Sequence, residues 1–178
     1  LLRRQRQMCI RDSIGSVGAG TVEVTNIGGG SAGATGAVNI GNSATTTLTL
    51  DGTVYKTGTG ATDYEAKAGN TILLTGVSPT VTTGGGDLSF STGNIVLSNA
   101  GTTTFTTGTG TGGNITVAAT IDGTDSENEA LVIESGSGNV QLQGAIGATN
   151  PLTTITINSS GAGTVEVTNI GGGSAGAT

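Results

Sequence analysis

Short segments in which apolar and polar residues alternate recur along most of the chain. In each segment one residue separates two apolar side chains, which is the period of a strand that buries one face. Glycine, asparagine or aspartate stands at the ends of the segments, and helical periodicity is nearly absent. The pattern predicts an all-β protein, with strands around seven apolar pairs: Val22 and Val24, Leu48 and Leu50, Ile72 and Leu74, Ile95 and Leu97, Ile115 and Val117, Val140 and Leu142, and Val165 and Val167.

The alternating segments also recur at nearly regular intervals. They begin 20 to 26 residues apart, and a second strand-like run follows each of them about half a period later. Periods of this length are typical of stacked solenoids. At about 3.3 Å per residue, a coil of about 24 residues makes a closed path of roughly 80 Å, which suits two or three strands around a narrow core. We therefore predict a parallel β-helix, that is, a β-solenoid whose coils have about 24 residues each.

Four of the segments follow the same Gly-Asn pair. Both residue types tolerate a positive φ, so we expect these pairs at tight corners that lead into strands. Asparagines at equivalent corners are also expected to share side-chain hydrogen bonds from coil to coil. The four pairs are Gly69-Asn70, Gly93-Asn94, Gly113-Asn114 and Gly138-Asn139.

A longer repeat contains the short ones. Residues 18–35 return unchanged as residues 161–178, which is 143 positions later. We expect a tandem array in which residues 14–156 form one unit of about six coils and residues 157–178 begin the next unit. In such a stack the coils at the two ends expose unpaired strand edges.

Residues 1–13 differ from the rest of the chain in composition. They contain four of the six basic residues, the one cysteine and the one methionine. The stretch is too short and too charged for a secretory signal, which needs an apolar run. It resembles translated sequencing-adapter read-through, and we expect it to be non-native and to add nothing to the fold.

Charge and composition exclude several functions. After residue 13, two lysines stand against eleven carboxylates, a net charge near −9. Such a surface repels phosphate, so we expect no nucleic-acid partner, and no run of about twenty apolar residues predicts a membrane-spanning helix. Because this part of the chain has no cysteine or histidine, thiolate and imidazole chemistry are absent, and we expect no cofactor. The lack of cysteine also fits an extracellular bacterial protein.

The phrases GNTILLTG, GNIVLSNAG and GNVQLQGAIGATNPLTTITINSSGAGTVEVTNIG resemble the β-strand repeats of bacterial surface exoproteins. These are the filamentous-haemagglutinin-like proteins and the passenger domains of autotransporters. The resemblance covers everything after residue 13. It implies a right-handed parallel β-helix, a secreted or outer-membrane-associated location at the cell surface, and a stalk that presents adhesive regions. The implied partners are neighbouring repeats of the same chain and a host or matrix glycan or protein.

A string of immunoglobulin-like sandwiches is the rival fold, because it is also all-β and rich in threonine. Its units have about 100 residues and bulky aromatic cores. This chain has two tyrosines, two phenylalanines and no tryptophan, and its period is much shorter. The solenoid is therefore the favoured fold.

An acidic cluster lies between two predicted strands. Calcium takes six to eight oxygen ligands, and clustered carboxylates on a loop supply such ligands. The spacing differs from the D-x-D-x-D-G ligand loop, so we interpret the cluster as a solvated loop and predict no metal site. A glycosidase acid and base pair is also disfavoured, because no aromatic residue lies close in sequence. The cluster consists of Asp122, Asp125, Glu127 and Glu129, with Glu134 nearby.

Thr-x-Thr motifs raise a different activity, because flat threonine arrays on β-solenoids can order water and bind ice. We examined the outward positions within the apolar pairs for a threonine ladder. These positions are Glu23, Thr49, Leu73, Val96, Thr116, Gln141 and Glu166. They form no such ladder, so an ice-binding face would have to lie elsewhere on the coil, and β-propensity accounts for the threonines.

Leu73 and Val96 are consecutive outward positions that are apolar, whereas their neighbours are polar. Side by side they would form a small apolar patch that receives a partner or a sugar. The alternative is that a neighbouring loop covers them or that the local register points them inward.

Taken together, these patterns predict a structural and adhesive repeat segment of a secreted filamentous bacterial surface protein, and not an enzyme. The alternative is a carbohydrate-active enzyme built on a β-helix. That class typically has a cleft with basic residues or paired carboxylates, whereas residues 14–178 contain two lysines and no arginine. An ice-binding solenoid is a further alternative.

Overall fold

The computed structural model describes residues 19–28, 33–57, 63–124 and 128–172. In these residues all the helices and strands assigned are β-strands, fourteen in number. They are β1 (Gly20–Val24), β2 (Val38–Ile40), β3 (Thr45–Leu50), β4 (Val54–Lys56), β5 (Tyr64–Leu74), β6 (Thr80–Thr82), β7 (Leu88–Leu97), β8 (Thr102–Thr106), β9 (Ile115–Val117), β10 (Ile121–Asp122), β11 (Ala130–Ser135), β12 (Val140–Ile146), β13 (Thr154–Ser159) and β14 (Val165–Ile170). The all-β prediction is confirmed for the described part of the chain.

Every pair of neighbouring strands runs parallel. Paired residues are 23 to 28 positions apart in the sequence, and the strands form one sheet of nine and one sheet of five. Leu48, for example, lies between Val22 of the preceding coil and Ile72 of the following coil. The chain therefore winds as a parallel β-solenoid, which confirms the predicted fold.

Each full coil has three sides, and strands stack in register on each side. The first side consists of β2, residues 64–66 of β5, 88–90 of β7, β9, 140–142 of β12 and 165–167 of β14. The second side consists of β1, β3, residues 71–74 of β5, 94–97 of β7, β10 and the ends of β12 and β14. The third side consists of β4, β6, β8, β11 and β13.

The inward side chains form one apolar column along the stack. Leu48, Ile72 and Ile95 follow one another on the second side, and each is 0% exposed. Phe90 on the first side meets Phe105 on the third side, with ring centroids 4.6 Å apart. Because a single coil cannot bury these side chains alone, the stacking of coils is what removes them from water and stabilises the fold.

Two tyrosines lie in this column with different surroundings. The hydroxyl of Tyr55 donates to the backbone oxygen of Val24 at 2.8 Å and accepts from the backbone nitrogen of Gly52 at 2.6 Å. The hydroxyl of Tyr64 is buried and has no hydrogen-bond partner among the described residues. Burial raises the pKa of Tyr55 to about 12. It also raises the pKa of Tyr64, because a phenolate there would lose its hydration.

Replacing each tyrosine with phenylalanine is expected to have opposite effects. Tyr55→Phe leaves a buried carbonyl and a buried amide without their partner, and we expect it to lower the free energy of unfolding by about 1–3 kcal/mol. Tyr64→Phe removes a buried hydroxyl that has no partner, so the free energy of unfolding should stay the same or rise. Urea denaturation of both variants measures this, and a larger loss for Tyr64→Phe would contradict the assignment.

Side chains at the corner before the first side link successive coils. A side-chain oxygen in one coil accepts a hydrogen bond from a backbone nitrogen in the next, so the chain of acceptors runs along the stack. The links are Asp63 to Asp87, Asp87 to Asn114, Asn114 to Asn139 and Asn139 to Thr164, at 2.7–2.9 Å. The predicted coil-to-coil bonding is confirmed for Asn114 and Asn139, whereas Asn70 and Asn94 lie inside β5 and β7.

The glycines that precede these asparagines have a different role from the predicted one. Of the four, only Gly93 has a positive φ, of 91°. A Cβ atom on Gly138 would collide with the backbone carbonyl of Gly113, and a Cβ on Gly113 would collide with that of Gly86. Glycine is therefore required at this corner because successive coils approach closely, and not because the backbone is left-handed.

The stacking order differs from the sequence prediction at β9. The apolar pairs were expected to follow one another in one column, with Ile115 above Ile95. Instead, β9 pairs with residues 88–90 on the first side, and Ile95 pairs with Ile121 of β10. The interval of 20 residues between these two pairs is shorter than any paired spacing in the structure, so it cannot close a coil.

This difference changes the meaning of the long repeat. Val22 and Val24 lie on the second side, whereas their copies Val165 and Val167 lie on the first side. Ile170, five positions after Val165, is the residue that stacks on the second side above Ile146. The 143-residue period is therefore one side short of six complete coils, so the two copies have different positions around the coil.

Candidate functional site

The third side presents a regular array of threonines to solvent. In β6 and β8, Val81 and Phe105 point inward and are 0% exposed, which leaves the alternate positions facing outward. Thr80 lies beside Thr104 and Thr82 beside Thr106 in the next coil. We call this surface the threonine face. It comprises Thr80, Thr82, Thr102, Thr104 and Thr106, extended by Ala130, Val132, Thr154 and Thr156 in the following two strands.

The spacing of the threonine face follows from the geometry of a parallel sheet. Neighbouring coils are about 4.8 Å apart, and alternate residues along a strand are about 6.6 Å apart. One row across the coils therefore has threonine or valine at every described position: Val54, Thr80, Thr104, Val132 and Thr156. Hydroxyl and methyl groups thus repeat in two directions on one side, with the carboxylate of Glu134 at the border.

Sequence analysis missed this face because it examined other positions. The outward residues that it aligned belong to two rows of the nine-stranded sheet. Glu23, Thr49, Leu73, Val96 and Asp122 form one row, and Thr116, Gln141 and Glu166 belong to the other. The signal in the sequence was the return of Thr-x-Thr after 24 residues, from Thr80 and Thr82 to Thr104 and Thr106. No threonine ladder forms on the described part of the nine-stranded sheet, as expected, and the array lies elsewhere on the coil.

Not every threonine faces outward. Thr57, Thr83 and Thr107 are at most 1% exposed and follow the strands of the third side at the next corner. There the Thr83 hydroxyl donates to the backbone oxygen of Gly86 at 2.5 Å, and the Thr107 hydroxyl donates to that of Gly113 at 2.8 Å. These buried hydroxyls satisfy carbonyl groups where the chain turns, so they are structural.

The pair Leu73 and Val96 lies as the sequence suggested. The two residues are directly paired on the second side, between Thr49 and Asp122, and each is half-buried. Val96 also lines a polar groove of about 370 Å³ with Thr71, Asn94, Asp122, Gly123, Thr124, Thr149 and Asn150. The apolar area is therefore narrow, and its role as a partner patch stays a prediction.

The acidic cluster separates into residues with different environments. Asp122 faces outward in β10 and accepts from the backbone nitrogen of Thr149 at 2.9 Å. Glu129 is 1% exposed, and its carboxylate accepts from the hydroxyl of Thr124 and from the backbone nitrogens of Thr124 and Asn128. Asp125 and Glu127 lie outside the described residues.

The interpretation of the cluster as a solvated loop is thus wrong for Glu129. This carboxylate replaces its hydration with hydrogen bonds from the turn that follows β10, and so it holds that turn in place. Within the described ranges, no three histidine, cysteine or carboxylate groups are placed to hold a metal ion. Glu129 is therefore best described as a structural residue.

The last coil in the described ranges is uncovered. Val165 is 45% exposed and Ile170 is 54% exposed, although both continue apolar rows of the core. Strand β14 pairs on one edge with β12, and its other edge pairs with no strand in the part of the chain that the structure describes. The same is true of β13, which pairs only with β11 there.

No helix in the described ranges is long and apolar enough to cross a membrane. No protein-family model, curated protein or solved structure gives a significant match to the chain.

Proposed function

We propose that this chain is a structural and adhesive segment of a secreted filamentous bacterial surface protein. The observation that carries the proposal is the uninterrupted parallel stacking of coils around one apolar column. Each added coil lengthens such a stack by about 4.8 Å without changing its cross-section. A protein of this form acts as a spacer at the cell surface, and its sides are the display area.

The threonine face is the side that we assign to adhesion. Its outward residues offer hydroxyl donors and acceptors beside methyl groups, and its rows repeat at fixed spacings. A polymer with regularly spaced hydroxyl groups, such as a host or matrix glycan, would make the same weak contact at each coil. Many weak contacts along one stiff surface add to a useful affinity. The proposal assigns no catalysis to this chain.

A second candidate function uses the same face. Two threonine pairs in register, Thr80 with Thr104 and Thr82 with Thr106, form a flat periodic array that could bind the surface of ice. Adsorption to a crystal also needs many weak contacts at fixed spacing. The same variants therefore separate the two candidates when binding to glycans and thermal hysteresis are measured side by side.

Charged substitutions on the threonine face are expected to abolish adhesion without unfolding the chain. We expect Thr82→Lys with Thr104→Lys to remove binding to a panel of matrix glycans, because two lysines interrupt the rows. The matched control is Ser89→Lys with Thr116→Lys, which places two charges at paired outward positions of the first side. Glycan binding by the wild type and the control only would support adhesion. Thermal hysteresis with no glycan binding would instead favour ice, and equal glycan binding by both variants would contradict the assigned face.

A further inference from the structure

The same strand sequence occurs twice in the structure with different neighbours. Strand β1 contains Val22, Glu23 and Val24, and strand β14 contains the identical Val165, Glu166 and Val167. In β1, one edge is covered by β3, which pairs Val22 with Leu48, Glu23 with Thr49 and Val24 with Leu50. In β14, the matching edge pairs with no strand among the described residues.

The uncovered edge has the properties of a strand-addition site. Val165 is 45% exposed, whereas its counterpart Val22 is 8% exposed. An unpaired edge also leaves backbone donors and acceptors free to bond another strand. The edge therefore offers apolar area and hydrogen-bonding groups together.

We infer that the uncovered edge of β14 binds, in parallel, a strand with the sequence of β3 (Thr45–Leu50) from another copy of the repeat. The register is the one already present between β1 and β3. Leu48 of the incoming copy then lies beside Val165, Thr49 beside Glu166 and Leu50 beside Val167. This inference goes beyond the proposed function and does not depend on adhesion to a glycan.

Charge favours this occupant over the other exposed end of the stack. If β1 of a second copy docked on β14 in the same register, Glu23 would lie directly beside Glu166. Like charges at directly opposed positions of neighbouring strands are destabilising. Thr49 carries no charge, so the strand Thr45–Leu50 avoids this repulsion.

The inference also determines how an added copy is oriented. Because β1 lies on the second side and residues 165–167 lie on the first side, the incoming copy is rotated by one side of the coil. The threonine face of each added copy would then be presented in a different direction around the stack.

The test uses the full 178-residue chain and a fluorescent peptide with the sequence of residues 44–51. We expect saturable binding in fluorescence anisotropy, together with slower amide hydrogen exchange confined to residues 165–170. The control peptide carries Leu48→Asp and Leu50→Asp, and it should not bind, since its two apolar contacts are lost. Absence of saturable binding by the native peptide, equal binding by the control, or protection elsewhere in the chain would overturn the inference.

A charge exchange tests the register. A peptide with Thr49→Glu should bind the wild-type chain about two- to fivefold more weakly than the native peptide, because it opposes Glu166. On the chain variant Glu166→Lys, the same peptide should bind about two- to fivefold more tightly than the native peptide. Glu166 is exposed, so the variant is expected to fold. Affinities that do not respond to the exchange would show that the register is wrong.

Discussion

Leu142→Asp is expected to destabilise the solenoid by more than about 3 kcal/mol, a large part of the stability of an ordinary domain. Leu142 is 1% exposed and stacks between Val117 and Val167 on the first side. A carboxylate at this position has no partner in the apolar column and loses its hydration. The variant must therefore stay protonated, open the coil locally or unfold.

The control for this substitution is the next residue on the same strand. Gln141 is exposed and lies between Thr116 and Glu166. Gln141→Lys should change the free energy of unfolding by no more than about 0.5 kcal/mol, because it adds a solvated charge beside a carboxylate. Urea denaturation followed by circular dichroism measures both variants. Similar losses at the two positions would contradict the assignment of inward and outward residues.

Phe105→Ala should lower the free energy of unfolding by about 3–5 kcal/mol. Phe105 is 0% exposed, packs against Phe90, and stacks between Val81 and Ile133 on the third side. Alanine leaves a cavity in the middle of the stack that the rigid coils cannot fill. Because each coil contacts only its neighbours, we also expect the coils on the two sides of the cavity to unfold less cooperatively.

Thr104→Ala is the matched control for the cavity. It lies one position earlier on β8, faces outward, and removes three side-chain atoms from the surface, so its effect should stay near about 0.5 kcal/mol. Hydrogen exchange across the chain distinguishes the two variants. Phe105→Ala should speed exchange on both sides of the cavity, and uniform exchange in both variants would be the contrary result.

The sequence alone determined the character and the repeat of the strands. Alternation around pairs such as Ile72 and Leu74 showed which side chains face the core, because successive residues of a strand point to opposite faces. The recurrence of these pairs predicted stacked coils, and the structure confirms them with paired residues 23 to 28 positions apart. The adjacency of Leu73 and Val96 was also predictable, since their strands are one coil apart.

Only the tertiary structure decided which strands stack on which side. All three sides show the same alternation, so the pattern around Ile115 fitted the second side as well as the first, and only closure of a full coil excluded the second. The burial of Glu129 depended on the turn that folds around its carboxylate. The threonine face depended on two Thr-x-Thr segments that come into register across coils. Local alternation determines whether a side chain points inward or outward, whereas the side and the neighbours of a strand depend on the lengths of the connections around the whole coil.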